Sequence, residues 1–391
     1  MARNRVIYQS EALYVSNNIV STASGDHAQL RRVQSANYNY SVQRTDVNQF
    51  GQLARIDAIV IEQPTVGLDL TYYLGDGFNE RAMGFVLNTG GGTDVQFSSG
   101  HMGGSYSGAN YYILTAPEGA DANITNTGTA RTAAGAVLTN SIIGIGNAYV
   151  TDYKVDFAVG AIPTVSVTLE GTNIMSQNAL SGNSTGFTGI SIASIDPTAG
   201  TKKTDLIQLF HAQQGTSGVS GLLAPTALRP GDVQLALLTS GIANSGFAVQ
   251  SCSISLPLAR ESIQKLGSRF AVVKVMTFPI LATINVSATL TDIDARNLAD
   301  QIDSNATQDI VLTVKNANRS SLAMVYKLKQ CKLDSEAFSS SIGSNKSVDL
   351  TFSTQIGGAN DSTNGVFVSG ESTVPAFITT RGGTDYATYG S

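Results

Sequence analysis

Apolar and polar residues alternate with a period of two over much of this chain, the pattern of half-buried β-strands. Tyr38, Tyr40 and Val42 fall on one face of such a run, with Asn39, Ser41 and Gln43 on the other. A bend is expected from Arg44 to Arg55. Ile56 to Ile61 then reads as a second strand, and Val66, Leu68, Leu70, Tyr72 and Leu74 as the apolar face of a third. Together these predict three strands of one antiparallel sheet, the last two joined tightly.

The same pattern returns between Ala248 and Leu290. Adding 216 to a position between Arg32 and Leu74 gives its partner: Arg44 maps to Arg260 (260 − 44 = 216), Val47 to Ile263, Gly51 to Gly267, Ile59 to Val275, Leu68 to Ile284 and Leu74 to Leu290. Matches at one constant offset predict an internal duplication and two domains of one type. In the second copy Cys252, Ile254, Leu256 and Leu258 share a face, and Pro257 marks an edge position or a strand end. A helix is expected next, capped by Asp292, with Ala295, Leu298, Ala299 and Ile302 spaced to lie on a sheet.

Each copy should end in a closing pair of strands, Tyr153 to Phe157 with Val165 to Leu169, and Tyr326 to Leu333 with Val348 to Phe352. Aligning Lys154-Val155-Asp156 with Lys332-Leu333-Asp334 sets the offset here at 178, so the first copy holds 38 extra residues (216 − 178 = 38). They fall in the Gly-rich stretch from Asn88 to Leu138, expected to be a long loop that is functional or ordered by a partner. The expected organisation is a first domain over 1–175, a connector over 176–230 with a small apolar element at Leu206 to Phe210, and a second domain over 231–391 that ends in a polar tail.

Charged residues make up only 14% of the chain, against roughly 25% in an ordinary soluble protein, so partners are expected to cover much of the surface. The net charge is −5 and no Lys/Arg cluster forms the basic stripe that gripping a nucleic acid requires. No apolar run of signal-peptide or membrane-spanning length occurs, which predicts a chain made and kept in a cytoplasm-like space, with no membrane contact. Cys252 and Cys331, both in apolar strand patterns, are expected to be buried free thiols.

A catalytic inventory finds nothing. His27, His101 and His211 lack the paired spacing of a zinc site and read as isolated surface or loop histidines. Gly200-Thr201-Lys202-Lys203-Thr204 lacks the upstream glycine of a phosphate loop. No enzyme, metal or cofactor is therefore expected. The repeated bend is the stronger signal, because an apolar-tipped, Arg-flanked loop suits a subunit contact. Its candidate residues are Arg44, Phe50, Gly51 and Arg55 in the first copy, and Arg260, Glu261, Leu266, Gly267 and Arg269 in the second.

Leu256-Pro257-Leu258-Ala259-Arg260-Glu261, Leu266-Gly267-Ser268-Arg269, Thr277-Phe278-Pro279-Ile280, Cys331-Lys332-Leu333-Asp334-Ser335 and the stretch from Ser341 to Val348 resemble the tail tube proteins of tailed bacteriophages. The resemblance covers about 250–355 well, and the first half through the repeated bend and its flanking strands. It implies a mainly β protein of two tandem tail-tube-like β-sandwich or barrel domains, each with a short packed helix, whose strands join those of neighbours in a continuous β-barrel. Two domains in one chain imply a trimeric ring with pseudo-sixfold symmetry. The implied partners are further copies of the chain, other tail proteins (sheath, baseplate, terminator) and DNA passing through the lumen of a virion tail. Asp57, Glu62 and Asp69 are the candidate channel-lining residues, because an acidic bore lets DNA slide. A baseplate hub or tube initiator, and a surface-binding virion protein that uses the Gly-rich stretch, are the alternative expectations.

Overall fold

The computed structural model describes residues 11–16, 27–88, 94–102, 108–116, 122, 138–182, 186–196, 199–210, 233–237, 247–290, 307–315, 322–339, 345–370, 380–381 and 384–385. The chain is mainly β, in antiparallel sheets with two short helices. The first half contains β1 (Glu11–Ser16), β2 (His27–Gln29), β3 (Val33–Ser41), β4 (Arg44–Val47), β5 (Asp57–Val60) and β6 (Thr65–Tyr73). Helices α1 (Phe78–Met83) and α2 (Ser99–Met102) precede β7 (Ala109–Thr115), the long β8 (Leu138–Ala158), β9 (Thr164–Gly171), β10 (Asn173–Gly182) and β11 (Gly186–Ser191). After β12 (Ile195–Asp196), β13 (Thr201–Lys202) and β14 (Leu206–Phe210), the second half runs through β15 (Val233–Leu237), β16 (Phe247–Pro257), β17 (Arg260–Ile263), β18 (Val273–Met276) and β19 (Leu281–Leu290). It ends with β20 (Gln308–Lys315), the long β21 (Leu322–Ser339), β22 (Ser347–Gln355), β23 (Gly365–Gly370), β24 (Thr380–Arg381) and β25 (Thr384–Asp385).

The two halves repeat one topology. In the first, β3 pairs with β6, β6 with β9 and β9 with β8; in the second, β16 pairs with β19, β19 with β22 and β22 with β21. The N-terminal part of β8 leaves this sheet and pairs with β7 and β10, with β1 beside β7. The N-terminal part of β21 does likewise with β20 and β23, with β15 beside β20. Each half is thus a sandwich of two sheets that share one long strand.

That long strand changes sheets at matching points. Asn147 and Gln330, 183 residues apart (330 − 147 = 183), are both non-glycine residues in the left-handed region, with φ of 48° and 57°. The N–H of Asn147 donates to Asn110 Oδ1, and the N–H of Gln330 to Asp309 Oδ1. A bulge lies between Val150 and Asp152 in one copy and between Leu333 and Ser335 in the other, again 183 apart. The closing strands are therefore offset by 183, and the Lys-x-Asp alignment at 178 is five residues out of register.

The four strands of each half join into one sheet through β8 and β16, which pair from Ser251↔Ala158 to Pro257↔Asp152. Its order is β3-β6-β9-β8-β16-β19-β22-β21. One face is apolar: Leu68, Leu70, Tyr153, Val155, Val167, Ile254, Leu256, Ile284, Leu350 and Phe352 belong to a single core that runs through both halves. Burying that stripe under the covering sheets supplies most of the stability, at about 25 cal/mol per Å² of apolar surface. Cys252 and Cys331 are buried in this core as free thiols, and burial pushes both up to about 12.

Several expectations change. Ile56 to Ile61 does not form a middle strand; β3 pairs directly with β6, and residues 57–60 return along 44–47 as a separate hairpin. Much of the expected connector is sheet, since β10, β11 and β14 continue outward from β8. The Gly-rich stretch supplies β7 and α2. In the first half a short helix, α1, follows β6, held between left-handed Gly77 and Gly84. The corresponding helix expected from Asp292 to Ile302 lies outside the described residues.

Candidate functional site

Two features are candidates for function: the open face of the eight-stranded sheet, whose two edges pair with no further strand among the described residues, and a pair of projecting hairpins. The open face follows from strand alternation. With Val66, Leu68 and Leu70 turned into the core, Asp69 and Thr71 point away; Asp152, Lys154 and Asp156 do so on β8, Ser166, Thr168 and Glu170 on β9, and Ser251, Ser253 and Ser255 on β16. Asn285 and Thr351 continue it on β19 and β22, joined by a 2.9 Å hydrogen bond. Asp69 accepts one from Thr168 at 2.8 Å, and Lys154 pairs with Asp156 at 2.9 Å. This face is hydroxyl-rich and mildly acidic. Of the three expected channel-lining residues Asp69 sits on it, whereas Asp57 is in β5 and Glu62 follows β5, both exposed and off the sheet.

The hairpins β4–β5 and β17–β18 correspond at the constant offset of 216, and their turns carry Gly51 and Gly267 with φ of 89° and 86°. No Cβ can adopt that φ without strain, which is why both copies have glycine there. Phe50, Leu53 and Leu266 at the tips are fully exposed, and Ile56, Ile59, Ile61, Ile263 and Phe278 are about half exposed. Arg55 and Asp46 form an exposed ion pair across the first hairpin at 2.9 Å. Arg44 at its root is exposed, as are Glu261 and Arg269 in the second.

Arg260 differs from the other expected contact residues. Its guanidinium lies 4.8 Å over the Tyr149 ring and donates to the His101 carbonyl at 2.9 Å, so it fastens the second hairpin to the first half. Lys274, almost wholly buried, pairs with Glu170 at 2.8 Å, and Gln63 bonds Ser262 Oγ and the Ala271 N–H. His27 and His101 are buried on β2 and α2 rather than exposed, and His211 lies outside the described residues. Among the described residues no group of three or more His, Cys, Asp or Glu stands close enough to hold a metal ion, and no helix is long and apolar enough to cross a membrane.

Sequence reasoning gave no sign of the buried carboxyl of Glu80 on α1. Its Oε1 accepts from Tyr72 at 2.8 Å and from Tyr153 at 3.3 Å, and the Tyr153 hydroxyl meets that of Tyr326 at 3.0 Å. Desolvation raises the Glu80 carboxyl to about 7, against the lowering effect of the two phenols. The cluster ties α1 to both halves of the core.

No family model and no curated protein matches this chain. Among solved structures it is similar to a chain of the PVC sheath-tube complex of an extracellular contractile injection system in its extended state (TM-score 0.28, 12% identity, 41% of this chain and 100% of that one). It is also similar to chains of two anti-feeding prophage structures. One is the tube-terminating cap (TM-score 0.24, 9% identity, 36% of this chain and 89% of that one), the other the six-fold symmetrised baseplate (TM-score 0.24, 13% identity, 35% and 91%).

Proposed function

We propose that this chain is a non-catalytic structural subunit of a phage-tail-like tube, three copies closing into a pseudo-sixfold ring and rings stacking around a channel. One observation carries the reading: β8 and β16 weld two like modules edge to edge, and among the described residues the same two kinds of strand border, β3 and β21, stay open at the ends of the sheet. Soluble proteins normally guard such edges, and a head-to-tail contact that closes on itself makes a ring.

Dimensions agree with a conduit. Three copies bring twenty-four strands, which at about 4.8 Å spacing and ~40° tilt close at a backbone diameter of about 48 Å. That exceeds the roughly 16–18 strands at which closed barrels already hold water. The hydroxyl-rich, mildly acidic face would line it, with Asp69 among its carboxylates, and DNA would pass without being gripped. The apolar hairpin tips would reach the next ring. Other tail proteins would meet the ends and outside of the tube, in a virion assembled in the host.

The test is assembly of the purified full chain, followed by mass photometry and negative-stain microscopy. Annular particles of three copies that lengthen into tubes are expected. A persistent monomer at millimolar-range subunit concentration and in the presence of tail tips sinks the reading. Rings that never stack, and that occur as one ring per particle, replace it with a baseplate hub.

A further inference from the structure

The chain contains its own template for how two copies meet. Across the internal seam Ile254 faces Val155 and Leu256 faces Tyr153. Moving β16 to β3 by 216 and β8 to β21 by 183 carries that register to the free edges. Tyr38 then faces Phe338, Asn39 faces Ala337, and Ser41 faces Ser335.

Burial points the same way. Ile254 and Val155 are 1% and 0% exposed, whereas Tyr38, Tyr40 and Phe338, on the corresponding face of the open edges, are 44%, 64% and 54% exposed. Three large side chains that continue a core stripe, yet stand uncovered on two complementary borders, fit a second copy of the same chain. The register pairs one ring with another, Tyr38 with Phe338, and sets Tyr40 opposite Glu336, a ring beside a long side chain across antiparallel strands.

The fasteners of the internal seam are not repeated. The positions of Lys274 and Glu170 hold Ala58 and Ser353 at the outer seam, and those of Arg260 and Tyr149 hold Arg44 and Lys332. An almost buried ion pair is replaced by two small neutral residues, and a cation over a ring by two cations. We infer that a second copy docks its β21 on β3 with Tyr38 opposite Phe338, and that this joint, lacking the polar fasteners, is the seam at which the ring opens. This rests on the ring reading proposed above. The weaker joint leaves a free chain reluctant to close alone and ready to close on an existing ring.

Two experiments on the full chain test it. In assembled particles, oxidised Asn39→Cys/Ala337→Cys should give covalent dimers and trimers, whereas the two-residue-shifted Asn39→Cys/Ser335→Cys should not. Equal cross-linking of both pairs, or rings visible by microscopy without cross-links in the first, overturns the register while leaving the ring reading intact. Ala58→Lys combined with Ser353→Glu should lower the concentration needed for ring formation at least tenfold, with neither single change doing so. An unchanged threshold overturns the weak-seam inference. Failure of every variant and of the native chain to form any closed particle overturns the ring reading and this inference together.

Discussion

The hydroxyl oxygens of Tyr153 and Tyr326 lie 3.0 Å apart, although 173 residues separate them in the chain. Tyr153 belongs to the first half and Tyr326 to the second, and the Glu80 carboxyl completes the link. The core of one half is therefore finished by the other, and the two sandwiches fold as partners.

Glu80 makes that link sensitive to pH. Its folded pKa, about 7, exceeds the ordinary 4.5, because burial disfavours the charged form. Below about pH 4.5 the group is protonated folded or unfolded. Between 4.5 and 7 only the unfolded chain releases the proton, so stability falls as pH rises, by on the order of 3 kcal/mol in all. Glu80→Gln keeps an oxygen acceptor and removes the proton. In urea titrations the variant should match the native chain near pH 4.5 and become the more stable of the two by pH 8; an advantage independent of pH refutes the assignment.

The Lys274–Glu170 pair predicts unequal effects from its two sides. Glu170→Gln strands a buried ammonium and should destabilise by roughly 1–3 kcal/mol, discounted because Glu170 is about a third exposed. Lys274→Met leaves a carboxylate that still reaches water and should cost less. Chemical denaturation of both variants decides the order.

Phe50→Asp, Leu53→Asp and Leu266→Asp change side chains that touch solvent alone. Each should leave subunit stability within about 0.5 kcal/mol of the native value. Under the proposed stacked-ring function, each should also shift assembly from tubes to single rings, read by sedimentation and microscopy.

Gly146 and Gly160 separate crowding from backbone strain. A Cβ on Gly146 would overlap the Ala193 carbonyl oxygen, and backbone cannot easily yield, so Gly146→Ala should cost over ~3 kcal/mol or prevent folding. Gly160 has φ of 82° and open space around it, so Gly160→Ala should cost only about 1 kcal/mol. Thermal melts of the two variants check the ranking.

The sheet strands β3 with β6 and β16 with β19 are legible in the sequence because nothing is inserted between them: the two stretches keep one spacing, down to the hairpin glycines, although the hairpins themselves read only as a bend and, in the first half, a middle strand. The chance match of Lys-Val-Asp with Lys-Leu-Asp points to a register for the closing strand five residues from the true one. The true markers are left-handed Asn147 and Gln330 and the bulges beyond them; Asn tolerates that region but Gln does not advertise it, so the two positions share no mark in the sequence. Ile56 to Ile61 has the pattern of a core strand because alternation alone does not distinguish an exposed apolar hairpin arm from a covered one. Residues 176–192, the start of the expected connector, read as a linker because Gly, Ser and Asn dominate, yet Phe187, Ile190 and Ile192 suffice to pack a layer. Glu80 left no trace, since one carboxylate in a short helix looks like solvated surface until its surroundings are known.

That added layer makes the outer surfaces of the two halves unlike. Phe187, Ile190, Ile207 and Leu209 cover the far side of the first half's second sheet, packing on Tyr14, Tyr112 and Leu180. The second half, among the described residues, ends at β15-β20-β21-β23 with Lys327 and Lys329 among its outward side chains, both paired with Asp94. Among the described residues the two halves, alike in the sheet they share, therefore present different backs: the first is doubled by β11 and β14, and the second is clasped at Lys327 and Lys329 by a carboxylate of the first.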